Sequence, residues 1–300
     1  MSDVPNREVE KIAVITDSCS DISKELRAKY NIYVLPLLIL CKDGEYRDGV
    51  DITAEDIYER LKTELPKTST PKGEEIENLF IELEKNGYKK AIAVMLSGGL
   101  SGTANHVRLA AEESNLEVCV VDSKSGSIGT GAIAFQVAIW LEEGMEYEQL
   151  CKKVTTLCKH THVFFSIDTL EYLQKGGRIG KATAMVGTAL NIKPILSFEE
   201  GGEICTAAKV RGRKLVEKKL LQLVEEKMNL EGTLNCKYNL MIADGGAPEE
   251  RDALEEKITK MFPDYQNLFP AKIGAGLSTY LGDGMLGAGI QFLTEDSVDM

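Results

Sequence analysis

The first half of the chain alternates short apolar segments with amphipathic helical patterns. This alternation restricts the folds that the chain can adopt. Apolar segments rich in β-branched residues lie at 11–17, 33–41, 89–96 and 117–123. Patterns with apolar residues on one helical face lie between several of them. Parallel strands need a crossover connection, usually a helix, so this order predicts a Rossmann-like parallel sheet with flanking helices.

The second half shows fewer regular strand–helix pairs, which favours a mixed sheet. Its apolar segments lie at 162–168, 193–198, 238–244 and 287–293. A single domain usually has about 100–200 residues, whereas the chain has 300. We therefore predict an α/β protein of two domains, residues 1–158 with the parallel sheet and residues 159–300 with the mixed sheet.

Several helices are marked by local signals. Thr53 begins the pattern of a capping box, and Thr70 before a proline predicts a second N-cap. Residues 210–228 have the pattern of one amphipathic helix. The segment 126–141 is apolar and rich in glycine and alanine, which favours either close helix packing or an opening for an alkyl tail.

Composition excludes several classes of function. The formal net charge of −12 argues against nucleic-acid binding, which needs a basic surface. The longest apolar run, within 33–41, is far shorter than the ~20 residues that span a bilayer, and residues 1–11 lack a signal-peptide core. Seven cysteines without a CxxC pair suit reduced thiols. We expect a cytoplasmic protein without stable membrane insertion.

Four turns rich in serine and threonine follow strands or precede helices in the first half. Asp17 and Ser18 follow the first strand, Thr68 and Ser69 precede a helix, and the loop 96–103 (LSGGLSGT) follows another strand. The fourth turn, at 122–127, follows the strand 117–123. Ligands of open α/β sheets bind at the carboxyl ends of the strands, where helix N-termini favour anions. The pattern predicts an anion site, although these residues could equally cap helices.

Nucleotide chemistry does not fit the glycine-rich segments. The loop 96–103 lacks the lysine of a Walker phosphate loop. Residues 282–287 match GxGxxG, but they lie too close to the end of the chain for a following βαβ unit. We therefore expect no bound nucleotide cofactor.

Hydrolase and metal chemistry are also disfavoured. Residues 99–103 miss the GxSxG pattern because Thr103 stands where glycine is needed. The histidines are His106, His160 and His162, and none follows late in the chain as such a hydrolase requires. His160 and His162 alternate on one strand without an obvious third ligand, so no metal site is expected.

A carboxylate ligand is the remaining anion. A buried carboxylate must be paired or hydrogen-bonded, and hydroxyl groups with one arginine would do both. Arg178 lies in a glycine-rich interruption of a helical pattern and is a candidate for this role. From the local sequence alone it could also be a surface side chain.

Six segments together carry a specific resemblance. TDS, TSTP, LSGGLSGT, VVDSKSGS, LEYLQKGGRIG and IKPIL occur in this order between residues 11 and 293. The chain resembles the DegV family of bacterial fatty-acid-binding proteins. The resemblance implies two α/β domains that hold one long-chain fatty acid between them. The chain is also similar to the fatty-acid-binding subunit of bacterial fatty acid kinase. In that enzyme a separate ATP-dependent kinase phosphorylates the carboxylate of the bound fatty acid.

The resemblance also implies roles for individual residues. Thr68 and Ser101 would hydrogen-bond the carboxylate, Arg178 would lie near it, and Arg211 would dock the kinase. Tyr280 stands where the family often has histidine; it can still donate a hydrogen bond. The rim that supports these groups would consist of Asp17, Ser18, Ser69, Gly99, Gly102, Thr103 and Thr279.

The leading hypothesis is a fatty-acid carrier that presents its ligand to a kinase and is not itself an enzyme. No general base or nucleophile with a supporting partner emerges from the sequence. Two alternatives stay open: an enzyme acting on a small phosphorylated metabolite at the same rim, and a regulatory module that senses a lipid.

Overall fold

The computed structural model describes residues 11–185, 191–231 and 236–294. Four parallel strands form the first sheet in the order β2-β1-β6-β7. They are β1 (Ile12–Asp17), β2 (Ile32–Leu35), β6 (Lys90–Met95) and β7 (Glu117–Asp122). The parallel sheet predicted for the first half is therefore confirmed.

Amphipathic helices flank this sheet. They are α1 (Lys24–Tyr30), α3 (Gly73–Lys85), α4 (Thr103–Glu112) and α6 (Tyr147–Lys159). Helix α2 (Ala54–Arg60) lies elsewhere, and its Ile57 packs with Ile39 and Ala275. The capping box at Thr53 is present. The prediction that Thr70 is an N-cap was wrong: α3 begins after Lys72, and the Thr70 hydroxyl lies 3.1 Å from His106 Nδ1.

A small antiparallel sheet, ordered β4-β3-β5, stands beside the first. It contains β3 (Leu38–Cys41), β4 (Gly44–Arg47) and β5 (Lys67–Ser69). The single strand predicted for 33–41 is wrong, because the chain leaves the parallel sheet after β2 and Leu38 starts β3. Pro36 lies between them and has no amide hydrogen for a continuous ladder.

The second half forms a mixed six-stranded sheet ordered β10-β9-β8-β13-β11-β12, as predicted. Its strands are β8 (Thr161–Ser166), β9 (Ile192–Phe198), β10 (Ile204–Arg211), β11 (Lys237–Gly245), β12 (Leu268–Lys272) and β13 (Met285–Leu293). Its helices are α7 (Glu171–Lys175), α8 (Val216–Glu231), α9 (Pro248–Met261) and α10 (Ala275–Leu281).

The helix predicted for 210–228 begins later than expected. The first two residues of this segment, Val210 and Arg211, belong to the end of strand β10. Gly212 (φ 87°) then turns the backbone away from the strand before a short 3-10 turn at Arg213–Leu215. That φ lies in the left-handed region, where glycine has no steric penalty. The helix α8 therefore covers only the later part of the segment.

Helix α5 (Ile128–Glu142) lies between the two sheets and is buried on nearly every side. It contacts β1 and β6 of the first sheet and β8, β11 and β12 of the second. A β-carbon at Gly131 would overlap Ser20 O and approach the Phe269 ring to 2.8 Å, so its small residues allow close packing. Within the described residues, no helix has the length and apolar character to cross a membrane. A domain division at 158/159 stays a prediction.

Candidate functional site

A small cavity lies where the two halves meet. Its volume is about 40 Å³, which is room for roughly three waters or one carboxylate group. Four residues line it with polar groups: Thr68, Ser101, Arg178 and Tyr280. The rest of the lining is mainly apolar and consists of Cys19, Leu37, Leu96, Leu100, Leu173, Ile204, Gly276, Leu277 and Leu281.

Thr68 and Tyr280 form one polar wall of the cavity. Strand β5 pairs Thr68 with Ile39, and helix α10 brings Tyr280 against it from the other half. The Tyr280 hydroxyl lies 2.8 Å from Thr68 Oγ1 and accepts the Thr68 amide hydrogen over 3.3 Å. If the tyrosine hydroxyl donates to Thr68 Oγ1, the threonine hydrogen is free to point into the cavity.

Ser101 is held at the start of α4 by the loop that follows β6. Its Oγ lies 2.9 Å from Thr103 Oγ1 and accepts the Thr103 amide hydrogen over 3.3 Å. Because α4 begins at Thr103, the free amide groups of its first turn lie beside Ser101. The positive end of the helix dipole therefore favours negative charge near this side chain.

The glycines of this loop allow close packing both within the first half and against the second half. A β-carbon at Gly99 would lie 2.7 Å from the carbonyl carbon of Gly202 in the β9–β10 hairpin. A β-carbon at Gly98 would lie 2.6 Å from Asp122 Oδ2. Ser97 Oγ also donates to Gly202 O over 2.7 Å. The contacts of Ser97 and Gly99 with Gly202 join the loop to the second half.

Arg178 supplies the cationic group of the cavity. It follows α7 after Gly177 (φ 73°), and its guanidinium stacks 5.2 Å from the centre of the Tyr280 ring. Nη1 donates to Gly176 O over 2.7 Å, and Nε makes a long 3.4 Å contact with Leu100 O. Within the described residues, no carboxylate pairs with Arg178.

Gly176 explains how Arg178 reaches this position. A β-carbon at Gly176 would overlap the ring of Tyr280, so only glycine lets the backbone lie flat against that ring. The ring thus contacts the arginine loop, and its hydroxyl contacts Thr68. Tyr280 organises two of the polar groups of the cavity at once.

The predicted supporting residues lie outside the cavity lining. Ser18 Oγ accepts the Leu37 amide hydrogen over 3.0 Å, and Thr279 Oγ1 donates to Ala275 O over 3.0 Å. Ser69 and Gly102 are exposed. Arg211 is exposed at the end of β10, an edge strand of the second sheet.

Asp17 lies directly behind the cavity and is completely buried. Its carboxyl oxygens accept amide hydrogens from Leu96 over 2.7 Å and Cys19 over 3.0 Å, and both of these residues line the cavity. Burial raises the pKa of Asp17 to about 7, with the two hydrogen bonds opposing the shift. Asp17 therefore fixes the shape of the cavity wall from behind.

The two strand histidines have a partner that the sequence did not reveal. His160 Nδ1 lies 2.9 Å from Glu231 Oε2, and His162 Nε2 lies 2.7 Å from Glu231 Oε1. Glu231 ends α8, about seventy residues along the chain. The pair therefore contacts a carboxylate of a distant helix.

Several lining residues were also missed by sequence reasoning. Cys19 lies one residue after Ser18, so the rule that ligands bind at strand ends could have included it. Ile204 and Leu277 come from β10 and α10 and carry no local signal. The segment 182–190, which is small and apolar, falls partly outside the described residues.

These features define an α/β protein whose two halves enclose a cavity with one cationic and three hydroxyl groups. A family model described as an uncharacterised protein of the DegV family matches residues 11–293. The chain belongs to the DegV family, as the sequence resemblance predicted.

Known relatives are similar over nearly the whole chain. A DegV domain-containing protein of Clostridium acetobutylicum is 38% identical over 281 residues, covering 93% of this chain and 98% of the relative. The structure of a fatty-acid-binding DegV family protein from Thermus thermophilus has a TM-score of 0.87 at 30% identity, covering 94% of this chain and 100% of that one. A stearic-acid-binding protein from Eubacterium ventriosum has a TM-score of 0.86 at 26% identity, covering 95% and 98%.

Proposed function

We propose that this protein binds one long-chain fatty acid, with the carboxylate between Thr68, Ser101, Arg178 and Tyr280. The observation that carries the proposal is the Arg178 guanidinium, which faces a carboxylate-sized cavity beside three hydroxyl groups. A ligand carboxylate would supply the negative partner that this cation lacks among the described residues. The fatty-acid-binding relatives of the same fold support this assignment.

The two ends of the ligand would contribute differently. Hydrogen bonds to a charged group are worth about 1.5–3 kcal/mol each, whereas each buried methylene is worth about 0.8 kcal/mol. A long tail would therefore set affinity, and the polar groups would set orientation. The cavity of about 40 Å³ holds only the head group, so apolar side chains such as Leu173 and Leu281 must move for the tail.

The proposal extends to presentation of the carboxylate to a partner ATP-dependent kinase in the cytoplasm. Ser101 and Arg178 are only half-buried, so the head group would lie near the surface. Among the described residues, the cavity lining contains no Asp, Glu, His or Lys that could act as a general base. We therefore assign binding and presentation to this chain and catalysis to the partner, with Arg211 on its docking surface.

Mass spectrometry of the purified protein, native and then denatured, tests the ligand assignment. A stoichiometric long-chain fatty acid, or uptake of added palmitate or oleate, is expected. A protein that carries none and takes up neither would refute the proposal, and phosphorylated metabolites would then be tested at the same site.

Ser101→Ala tests the position of the carboxylate. Losing one charge-assisted hydrogen bond should raise the Kd for palmitate about tenfold or more. Ser114→Ala, just beyond the other end of α4, is the matched control and should bind like the wild type. Presentation is tested by adding a fatty acid kinase and ATP. The bound acid should be phosphorylated strongly on the wild type and weakly on Ser101→Ala. If the protein were a lipid sensor, the acid would bind without being phosphorylated.

A further inference from the structure

The carboxyl groups of Asp21 and Asp48, in the first half of the chain, lie against the first turn of helix α10, in the second half. The Gly274 amide donates to Asp21 Oδ1 over 2.8 Å. A β-carbon at Gly274 would lie 3.0 Å from Asp21 Oδ1 and 3.6 Å from Asp48 Oδ1. One at Gly276 would lie 2.5 Å from Asp48 Oδ2. Both carboxyl groups are therefore packed against the same turn of backbone.

Neither carboxyl group has a cationic partner among the described residues. Asp48 is only 3% exposed, and Asp48 Oδ2 and Asp21 Oδ2 make no hydrogen bond of normal geometry. The Ser127 hydroxyl lies near Asp21 but is also unpaired. An isolated buried carboxylate is costly, so such a group tends to bind a proton.

The pKa values follow this environment. Burial, together with the nearby Asp48 and Asp17, raises the pKa of Asp21 to about 7, although the nearby Ser127 hydroxyl and the amide hydrogen bond from Gly274 oppose this shift. Burial also raises the pKa of Asp48, with Ser18 and the amides of the first turn of α10 opposing it. Both groups therefore bind protons more readily where they contact α10 than they would in water.

Among the described residues, several charged groups lie near this pair, but none of the cations forms an ion pair with Asp21 or Asp48. Asp17 and Cys19 lie on the β1 side. A cleft of about 580 Å³ has Asp21 and Asp48 on one wall and connects them to solvent. Its charged residues are Lys24, Arg27, Glu55, Arg251 and Lys272; Lys272 pairs with Glu55, and Arg251 pairs with Asp244 and Asp252.

Helix α10 also carries part of the cavity. Its first turn contacts Asp21 and Asp48, while Leu277, Tyr280 and Leu281 line the cavity. The Tyr280 hydroxyl reaches Thr68 in the first half. Gly276 and Tyr280 belong to the same seven-residue helix, so a shift of its first turn would also move Tyr280.

We propose that Asp21 and Asp48 are positioning residues for the fatty-acid site: as neutral carboxyl groups they hold α10 and Tyr280 in the binding arrangement, and as carboxylates buried without a cation they weaken it. This role rests on the proposed function. Protons exchange with water in the cleft. Fatty-acid affinity should therefore fall as the pH rises through neutrality.

The test measures the Kd of a fluorescent fatty acid from about pH 6 to about pH 8.5. The wild-type Kd should rise about tenfold, the change that 1.4 kcal/mol produces. Asp21→Asn and Asp48→Asn each imitate one neutral carboxyl group and should each reduce the rise, and the double variant should keep the low-pH Kd throughout. Asp48→Ala, which loses the contacts, should bind weakly at every pH. Asp283→Asn, an exposed control after α10, should keep the wild-type profile. The same fatty acid is used with every variant, so the titration of its own carboxyl group affects every Kd alike and cancels in the comparison.

Several results would overturn the role of this pair. A flat wild-type profile, or Asn variants with the wild-type slope, would show that these protons do not affect binding. Equal losses in Asp48→Asn and Asp48→Ala at every pH would show a purely structural contact. Wild-type protein that binds no fatty acid at any pH would instead refute the proposed function, and with it this role.

Discussion

Replacing Arg178 by methionine should separate recognition of the carboxylate from recognition of the tail. The substitution keeps the apolar stem but removes the bond to Gly176 O and the stacking on Tyr280. These contacts are worth about 2 kcal/mol together, so unfolding should become easier by about that amount. A bound carboxylate would lose a further ~1.5–3 kcal/mol, which raises its Kd roughly 10- to 150-fold.

The assay is calorimetry with two ligands of equal chain length, a fatty acid and the corresponding fatty alcohol. The wild type should prefer the acid, and Arg178→Met should lose most of that preference while binding the alcohol nearly as well. Comparing both ligands on both proteins isolates the interaction between guanidinium and carboxylate. Arg178→Lys keeps the charge without the planar fork and should give an intermediate preference.

The loss of fold stability does not confound this comparison, because lower stability changes the affinity for the acid and for the alcohol alike. If Arg178→Met discriminated acid from alcohol as well as the wild type, the carboxylate would not contact Arg178. If both ligands lost affinity equally, Arg178 would act only by holding the loop against Tyr280.

Three further predictions follow from the contacts of the cavity and the second sheet. Tyr280→Phe should weaken fatty-acid binding about 3- to 10-fold, because the Thr68 hydroxyl loses the partner that orients it toward the cavity. Tyr172→Phe, whose hydroxyl is unbonded among the described residues, should leave binding unchanged, and calorimetry measures both. Gly99→Ala should destabilise the protein by about 1–3 kcal/mol in urea unfolding because its β-carbon meets backbone, whereas Gly201→Ala, with open space, should change stability by less than about 0.5 kcal/mol. Although burial opposes it, hydrogen bonds from the two strand histidines lower the pKa of Glu231 to about 2 from 4.5. Its carboxylate therefore stabilises the fold above pH 4.5, and the stability difference between wild type and Glu231→Gln should shrink as the pH falls from 4.5 to about 2; an unchanged difference would contradict the ion pair.

Local sequence was sufficient for the framework of the first half. Strands β1, β6 and β7 are short apolar segments in the expected order, and their parallel pairing follows from the crossovers between them. The capping box at Thr53 depends only on residues three apart, so it too was predictable. These features arise from backbone geometry and side-chain periodicity within one element.

Local reasoning failed where one apolar segment serves two sheets. Residues 33–41 have the composition of one strand, but Pro36 and the small sheet divide them. Strand β5 is only three residues long and exists because it pairs with β3, so nothing in TSTP alone indicates a strand. Pairing between distant segments decided both outcomes.

The sequence by itself determined an α/β chain with hydroxyl-rich turns at the ends of its parallel strands. Family resemblance added Arg178 and Tyr280 to the candidate site. Only the tertiary structure decided which hydroxyl groups face the cavity, because Thr68 and Tyr280 lie 212 residues apart and meet through the packing of α10 against β5. It also placed Asp21 and Asp48 against α10, since the burial that shifts their protonation exists only when the two halves are together.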